Sequence, residues 1–416
     1  MEAYNMNKEK FEMFDGGVTA PEGFRAAGIC AGIKKDRKDM AMLASSRPCT
    51  LAGAFTQNLV KASPVVWDQN IVRNYASAQA CVMNSGMANA CTGAQGDAYC
   101  RKTAEAAAEA LGLKPEQILL ASTGVIGRQL PIDKICAGAR TLSGMLSDSP
   151  QAASAAAEAI MTTDTKRKEI AVSFQLGGRK VTIGGMTKGA GMIHPNMGTM
   201  LCFLTSDAAI SGRMAQKALL SCVKDSFNMI SIDGDQSTND TCVLLSNGLA
   251  GNPEITEEGE DYETFRSALE VVTKNLARRM AADGEGAHAL FEVRVTGASS
   301  KEQAVQLAKS VIGSSLVKTA IAGHDANWGR IICAMGYSGA IFDPDKVDLT
   351  FMSSAGTVRI AENGVSTGYS EELATDILSR EEITAVIDLK EGSAEATAWG
   401  CDLTHEYISI NADYRS

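Results

Sequence analysis

The sequence contains no run of about 18 apolar residues, the length that a membrane-spanning helix needs. Its N-terminal segment, MEAYNMNKEKFEMF, is charged and has no apolar stretch, so a signal peptide is not expected. Acidic and basic residues are interspersed without a basic stripe, and the formal net charge is −10. A protein that neutralises a phosphate backbone needs such a stripe. We therefore expect a cytoplasmic protein that binds neither a membrane nor nucleic acid.

The eleven cysteines include no CxxC pair and are scattered from Cys30 to Cys401. Their odd number and wide spacing are typical of neither a disulfide framework nor a zinc site. We interpret them as small buried hydrophobic residues. The chain has few histidines, and although His324 directly precedes Asp325, neighbours in sequence do not form a catalytic triad. We expect neither a metal site nor Ser-His-Asp chemistry.

Strand-like and helix-like segments alternate along the 416 residues, which indicates a layered α/β or α+β protein. The length and the 45% hydrophobic content allow a large core and two or three globular units. Gly177 and Gly178 join two β-branched runs, a pattern typical of a hairpin over 169–185. The other predicted elements are helices over 101–111, 150–161, 212–227, 262–282 and 301–312 and strands over 118–122, 199–205 and 241–246.

The segment 188–207, KGAGMIHPNMGTMLCFLTSD, places three glycines, a lysine and a threonine in a turn-rich entry to a strand. A glycine-rich loop with a lysine can bind phosphate, but the GxxxxGK[ST] order is missing and the loop leads into a strand instead of a helix. Three interpretations of the residues stay open. The segment is a nucleotide-binding loop, a structural turn or a strained junction with catalytic residues.

Within this segment, KGAGMIHPNMGTML resembles the signature KGxGMIxPxMATML of the ornithine acetyltransferase family, the bifunctional arginine-biosynthesis acetyltransferases. Further matches follow in the family's order over nearly the whole chain: GGVTAPEGFRAAGI, NSGMANACTG, STGVIGRQLP, MTTDT, SIDGDQSTND, DGEGA, HDANWGRI, WGCDLT and INADYRS.

The resemblance implies an α+β fold. Its core would be a four-layer αββα sandwich like that of the self-processing N-terminal-nucleophile amidases, with a smaller C-terminal α/β domain. The implied division is 1–198 for an alpha chain with the N-terminal half of the core, 199–296 for the nucleophile strand and the rest of the core, and 297–416 for the C-terminal domain with a substrate-binding tail.

The resemblance also implies self-cleavage between Gly198 and Thr199, after which Thr199 moves acetyl from N-acetylornithine to glutamate through an acetyl-threonine intermediate. The threonine's new α-amine would serve as its base. No cofactor is implied. The two chains would form one protomer, commonly doubled to a heterotetramer. Use of acetyl-CoA as a second donor stays open, and the alternative activity is that of a self-processing aminopeptidase or amidase.

The implied site residues come from separate motifs. Thr123 and Gly124 match an oxyanion-stabilising pair. The substrate-binding positions match Thr162, or its neighbour Thr163, together with Lys188, Thr199, Glu285, Asn411 and Ser416. Glu285 would recognise the ammonium that distinguishes ornithine from glutamate. The chain departs from the family at Met87, usually asparagine, and at Gly198, usually alanine.

Overall fold

The computed structural model of the protein describes residues 10–75, 77–194 and 200–414. The helices in these ranges are α1 (Ser63–Asn74), α2 (Gly93–Leu111), α3 (Ile132–Met145), α4 (Pro150–Ala159), α5 (Gly212–Lys224), α6 (Glu260–Ala282), α7 (Lys301–Gly313), α8 (Ser315–Ala322), α9 (Trp328–Gly336), α10 (Glu371–Leu378) and α11 (His405–Asp413). None of these helices is both long and apolar enough to span a bilayer.

The strands are β1 (Glu12–Phe14), β2 (Phe24–Ile29), β3 (Met40–Phe55), β4 (Ser77–Met87), β5 (Ile118–Val125), β6 (Lys168–Leu176), β7 (Arg179–Lys188), β8 (Leu201–Ser206), β9 (Ile230–Ser231), β10 (Thr241–Ser246), β11 (Leu290–Ala298), β12 (Asp348–Ser353), β13 (Gly356–Glu362), β14 (Val365–Ser366), β15 (Glu382–Asp388) and β16 (Ala394–Cys401). One sheet has the order β1-β6-β7-β8-β10-β3-β4-β5, with β2 paired to β3. The other sheet has the order β14-β13-β12-β15-β11-β16-β9.

The first sheet has two halves, one on each side of the long strand β3, and β3 contributes to both. Its first half pairs with β2 and β4, and its second half, from Thr50 to Phe55, pairs with β10. The register with β4 shifts between Ala44 and Cys49, and such an irregularity bends a strand. The sheet therefore folds back on itself at β3.

Alternation of side chains along these strands separates four layers. Met40 and Met42 lie in a hydrophobic cluster with α2 and α3. Leu43 lies in the cluster between the two halves of the sheet, together with Phe203 of β8. Leu204, on the opposite face of β8, packs with α5 and α6. The order helix, sheet, sheet, helix confirms the αββα sandwich expected from the sequence.

The second sheet carries the C-terminal α/β part of the chain. Its interior strand β11 pairs parallel with β15 and antiparallel with β16. Helix α6 contacts β6 and β7 of the first sheet and β11 and β16 of the second, and its residues Phe265, Val272 and Leu276 are fully buried. The boundary expected between 296 and 297 falls inside β11. The proposed division into domains remains a prediction.

Local signals account well for several elements. The predicted hairpin is confirmed by antiparallel pairing of β6 with β7, joined by Gly177 and Gly178, both at positive φ. Helix α4 begins at Pro150, and the Ser149 side chain accepts a hydrogen bond from the Ala152 N–H at 3.3 Å. Helix α2 ends at the left-handed Gly112 but begins well before the predicted residue 101.

The cysteines are not all buried, contrary to the prediction from the sequence. Cys81 and Cys202 are buried in strands as expected, but Cys30, Cys91 and Cys333 are exposed. The first two lie in loops and the third lies on a helix face that the core does not cover. Describing these three as buried hydrophobic residues was wrong.

Candidate active site

A cleft with about 740 Å³ of empty space lies where strand ends of the first sheet meet the C-terminal helix. The predicted site residues that line it are Thr123, Gly124, Thr162, Lys188, Glu285 and Asn411. Thr163 lines it as well, so the choice between the two threonines stays open. Gly198, Thr199 and Ser416 lie outside the described residues. Met200, which follows Thr199 in the chain, and Tyr414, near the terminus, both line the cleft.

The pair Thr123 and Gly124 occupies the end of β5, where backbone packing is very close. Gly124 has φ +123°, and a Cβ there would lie 2.4 Å from the backbone carbonyl carbon of Gly86 in β4. The β4–β5 register shifts at this point, between Gly86 and Met87. Glycine is therefore required at 124, because any side chain would collide with backbone.

Lys188 ends β7 and brings a buried cation into the cleft. Its side chain is 8% exposed, and its Nζ donates a hydrogen bond to Thr123 Oγ1 at 3.3 Å. Burial lowers the pKa of Lys188, while Asp164 and Glu285 favour its charged form. A buried cation of this kind suits a carboxylate ligand.

A buried ionic group fixes two loops beside the cleft. Lys168 is 1% exposed, and its Nζ lies 2.7 Å from Asp164 Oδ1 and 2.5 Å from Asp283 Oδ2. Asp164 accepts hydrogen bonds from the N–H groups of Thr162 at 3.0 Å and Gly189 at 2.7 Å. Burial disfavours the charge on Asp164, but the Lys168 and Lys188 cations outweigh it and hold the pKa of Asp164 well below its usual range.

Glu285 follows helix α6 and is held from two sides. Its side chain is 9% exposed, and its Oε2 accepts a hydrogen bond from Asn411 Nδ2 on α11 at 2.7 Å. On the other side, a Cβ added to Gly191 would lie 2.4 Å from the Glu285 carboxyl carbon. The carboxylate is thus confined between the C-terminal helix and the glycine-rich loop.

Several residues important to this geometry were not singled out from the sequence. They are Asp164, Lys168, Gly191, Asn239, Asp240 and Asp283. All except Lys168 belong to quoted motifs, and those motifs were the signal that could have identified them. Asn239 donates to the carbonyl of Ser122 at 2.8 Å, directly before the Thr123 position.

Other sequence features lie away from the cleft. None of the histidines is among its lining residues within the described ranges. His194 Nδ1 lies 2.9 Å from Ser231 Oγ, and burial lowers the pKa of His194. Met87, the departure from the family pattern, packs against the outer hydrophobic cluster formed with α2 and α3. Its apolar side chain therefore contributes to packing.

Comparison with known proteins agrees with the expected relationship. The sequence pattern of the ArgJ family matches residues 25–416. The chain is 50% identical to the arginine biosynthesis bifunctional protein ArgJ of Symbiobacterium thermophilum over 97% of this chain and 100% of that protein. The corresponding protein of Thermotoga neapolitana is 47% identical, over 95% of this chain and 99% of its own length. A crystal structure of the protein of that name from Bacillus halodurans is 44% identical, with a TM-score of 0.48, and the match covers 50% of this chain and 97% of that one. The chain belongs to the ArgJ family.

Proposed function

We propose that this protein is a self-cleaving acetyltransferase of arginine biosynthesis that moves an acetyl group from N2-acetyl-L-ornithine to L-glutamate. Its relatives are named arginine biosynthesis bifunctional proteins, which supports the pathway. The observation that carries the proposal is the cleft itself. Residues from Thr123 to Asn411 meet there and combine a buried cation, a buried acid and a glycine-bearing strand end.

The nucleophile in this proposal is Thr199, released as a new N-terminus by cleavage after Gly198. A free α-amine has a reference pKa of about 7.7–8.0 and can take the proton of the same residue's hydroxyl. The hydroxyl then attacks the acetyl carbonyl of N-acetylornithine. Backbone and side-chain donors at Thr123 and Gly124 stabilise the resulting oxyanion, ornithine leaves, and the amine of glutamate takes the acetyl group from the threonine ester.

Charged residues of the cleft account for substrate recognition. Lys188 binds the α-carboxylate that both amino-acid substrates carry. Glu285 binds the side-chain ammonium of ornithine, and the Asn411 amide at 2.7 Å keeps that carboxylate in place. Thr162 and Ser416 complete the substrate contacts. The chemistry needs no cofactor, because the nucleophile, its base and the oxyanion donors are all protein groups.

We also propose how the enzyme assembles and where it acts. The chains 1–198 and 199–416 form one protomer, and two protomers form a heterotetramer in the cytoplasm. Acetyl-CoA is a second acetyl donor to be tested, since the relatives are named bifunctional. A self-processing amidase of the same fold is the competing activity, in which water replaces glutamate as the acceptor.

The decisive experiment is intact mass spectrometry of the purified protein, followed by acetyl-transfer assays. We expect two chains, 1–198 and 199–416, and an acetyl group on the second chain after incubation with N-acetylornithine alone. Thr199→Ala should remain uncut and inactive, whereas Thr199→Ser keeps a hydroxyl and should be cut. Initial rates should follow ping-pong kinetics.

Three results would contradict the proposal. Normal cleavage of Thr199→Ala would remove Thr199 as the nucleophile. Intersecting double-reciprocal lines without an acetylated chain would indicate direct transfer. Release of acetate at the same rate with and without glutamate would identify a hydrolase.

A further inference from the structure

Asp240 brings a carboxyl group into the cleft beside Met200, the first described residue after the predicted cleavage point. It directly precedes β10, which pairs in parallel with β8 so that Thr241 lies opposite Leu201. The Thr241 N–H donates to the Met200 carbonyl at 2.8 Å, which holds the two chain segments side by side. The N–H of Met200 in turn hydrogen-bonds the Asp240 carboxyl. Asp240 thus contacts the backbone of the residue that follows Thr199.

The environment of this carboxyl is unusual for a structural residue. Asp240 is 1% exposed, and its Oδ2 has no hydrogen-bond partner within the described part of the chain. Burial raises the pKa of Asp240 well above its ordinary value, although Ser237, Thr56 and the Lys188 cation favour the charged form. A buried polar atom left without a partner costs about 1–3 kcal/mol, so its presence at a cleft calls for a functional explanation.

Self-cleavage has a chemical requirement that acetyl transfer lacks. Before the cut, the nitrogen of Thr199 belongs to a peptide bond, and an amide nitrogen is not a base. The α-amine that serves the finished enzyme does not yet exist in the precursor. A different group must therefore accept the proton of the Thr199 hydroxyl during cleavage.

Asp240 fits this requirement best among the titratable residues that line the described cleft. Lys188 is a cation beside Thr123, at 3.3 Å, and Glu285 already binds Asn411 at 2.7 Å. Tyr414 keeps its phenol proton near neutral pH, because burial raises its pKa above the ordinary value, so it has no free base form. Within the described residues, only the Asp240 carboxyl combines burial in the cleft with an oxygen that has no partner.

We propose that Asp240 is the acid–base group of self-cleavage, an inference that rests on the proposed function. Its carboxylate accepts the hydroxyl proton of Thr199 as that oxygen attacks the carbonyl carbon of Gly198. As the peptide C–N bond breaks, the carboxyl returns the proton to the Thr199 nitrogen, which leaves Gly198 as an ester on the threonine oxygen. Water then hydrolyses this ester to a Gly198 carboxylate and a free Thr199 hydroxyl.

The test is the cleavage rate of the full chain carrying Asp240→Asn, measured by the disappearance of the uncut mass. We expect cleavage to slow by at least about 100-fold, the usual value of a general acid–base group. Asp235→Asn is the matched control, because Asp235 is an exposed acid in the same motif and does not line the cleft. Circular dichroism and thermal unfolding check that both variants fold.

A second variant separates a chemical role from a structural one. A thiol has a pKa near 8.5 and ionises without a strong base. Thr199→Cys combined with Asp240→Asn should therefore recover cleavage, whereas damage to the fold would not be repaired. Cleavage of Asp240→Asn at the wild-type rate, or no recovery in a folded double variant, would overturn the inference while leaving the proposed function intact. A wild-type chain that stays uncut would overturn both.

Discussion

Replacing Lys168 with methionine removes the ammonium group that two buried carboxylates share. Lys168 and Asp164 are almost fully buried, and Asp283 is 7% exposed. The Nζ distances of 2.7 and 2.5 Å show that both acids depend on this cation. Methionine nearly preserves the volume of the side chain, so the change leaves two buried carboxylates without the cation that they share. Removing one partner of a buried ion pair costs about 3–5 kcal/mol.

Urea unfolding at pH 7 measures this loss against a surface control. Lys217 forms an exposed ion pair with Glu258, so Lys217→Met should cost no more than about 1 kcal/mol. Lys168→Met should also raise KM for N-acetylornithine, because Asp164 and Asp283 hold the N–H groups of loops that carry cleft residues. Equal losses of stability in the two variants would refute the reasoning.

The same ionic group makes the stability depend on pH with a defined sign. The pKa of Asp164 is lower in the folded protein than its ordinary value near 3.9, since the cations of Lys168 and Lys188 outweigh burial. A lowered folded-state pKa contributes stability that is complete above the unfolded-state pKa and is lost as the pH falls below it. The free energy of unfolding should therefore decrease as the pH falls below about 4, and this decrease should be less steep in Lys168→Met.

Three further predictions concern the cleft. Gly191→Ala places a Cβ 2.4 Å from the Glu285 carboxyl carbon, so kcat/KM for N-acetylornithine should fall by roughly tenfold while self-cleavage still occurs. Gly144→Ala is the control, because open space surrounds that position, and it should change neither kcat/KM nor cleavage. Gly124→Ala places a Cβ 2.4 Å from the backbone carbonyl carbon of Gly86, so the rate of acetyl transfer from N-acetylornithine to glutamate should fall about 100-fold or more. An unchanged rate would exclude this strand end from oxyanion binding. Deleting residues 411–416 removes the Asn411 amide, which donates to the Glu285 carboxylate at 2.7 Å. The deletion should lower kcat/KM for N-acetylornithine roughly tenfold, and a gel should still show the two cleaved chains. Unaltered kinetics would argue against a role for these residues in substrate binding.

Several elements were predictable because their signals are local. The glycine pair at Gly177 and Gly178 determined a hairpin, and Ser149 with Pro150 determined a helix start, since turn and capping preferences involve only a few neighbouring residues. The early start of α2 was not predictable, because Gly93 and Gly96 have low helix propensity. The Asn89 side chain donates to the Gly96 carbonyl at 3.1 Å and stabilises that turn from outside the helix.

The motifs identified the family and contain the segments that line the described cleft, since each motif is a short contiguous segment. They did not determine which side chains meet. Lys168 contacts Asp283, far away in the sequence, because β6 and the end of α6 pack together. Asp240 meets Met200 because β8 and β10 pair in parallel. Hydrogen-bond partners and pKa values depend on burial and on such distant neighbours, and only the folded chain brings them within contact distance.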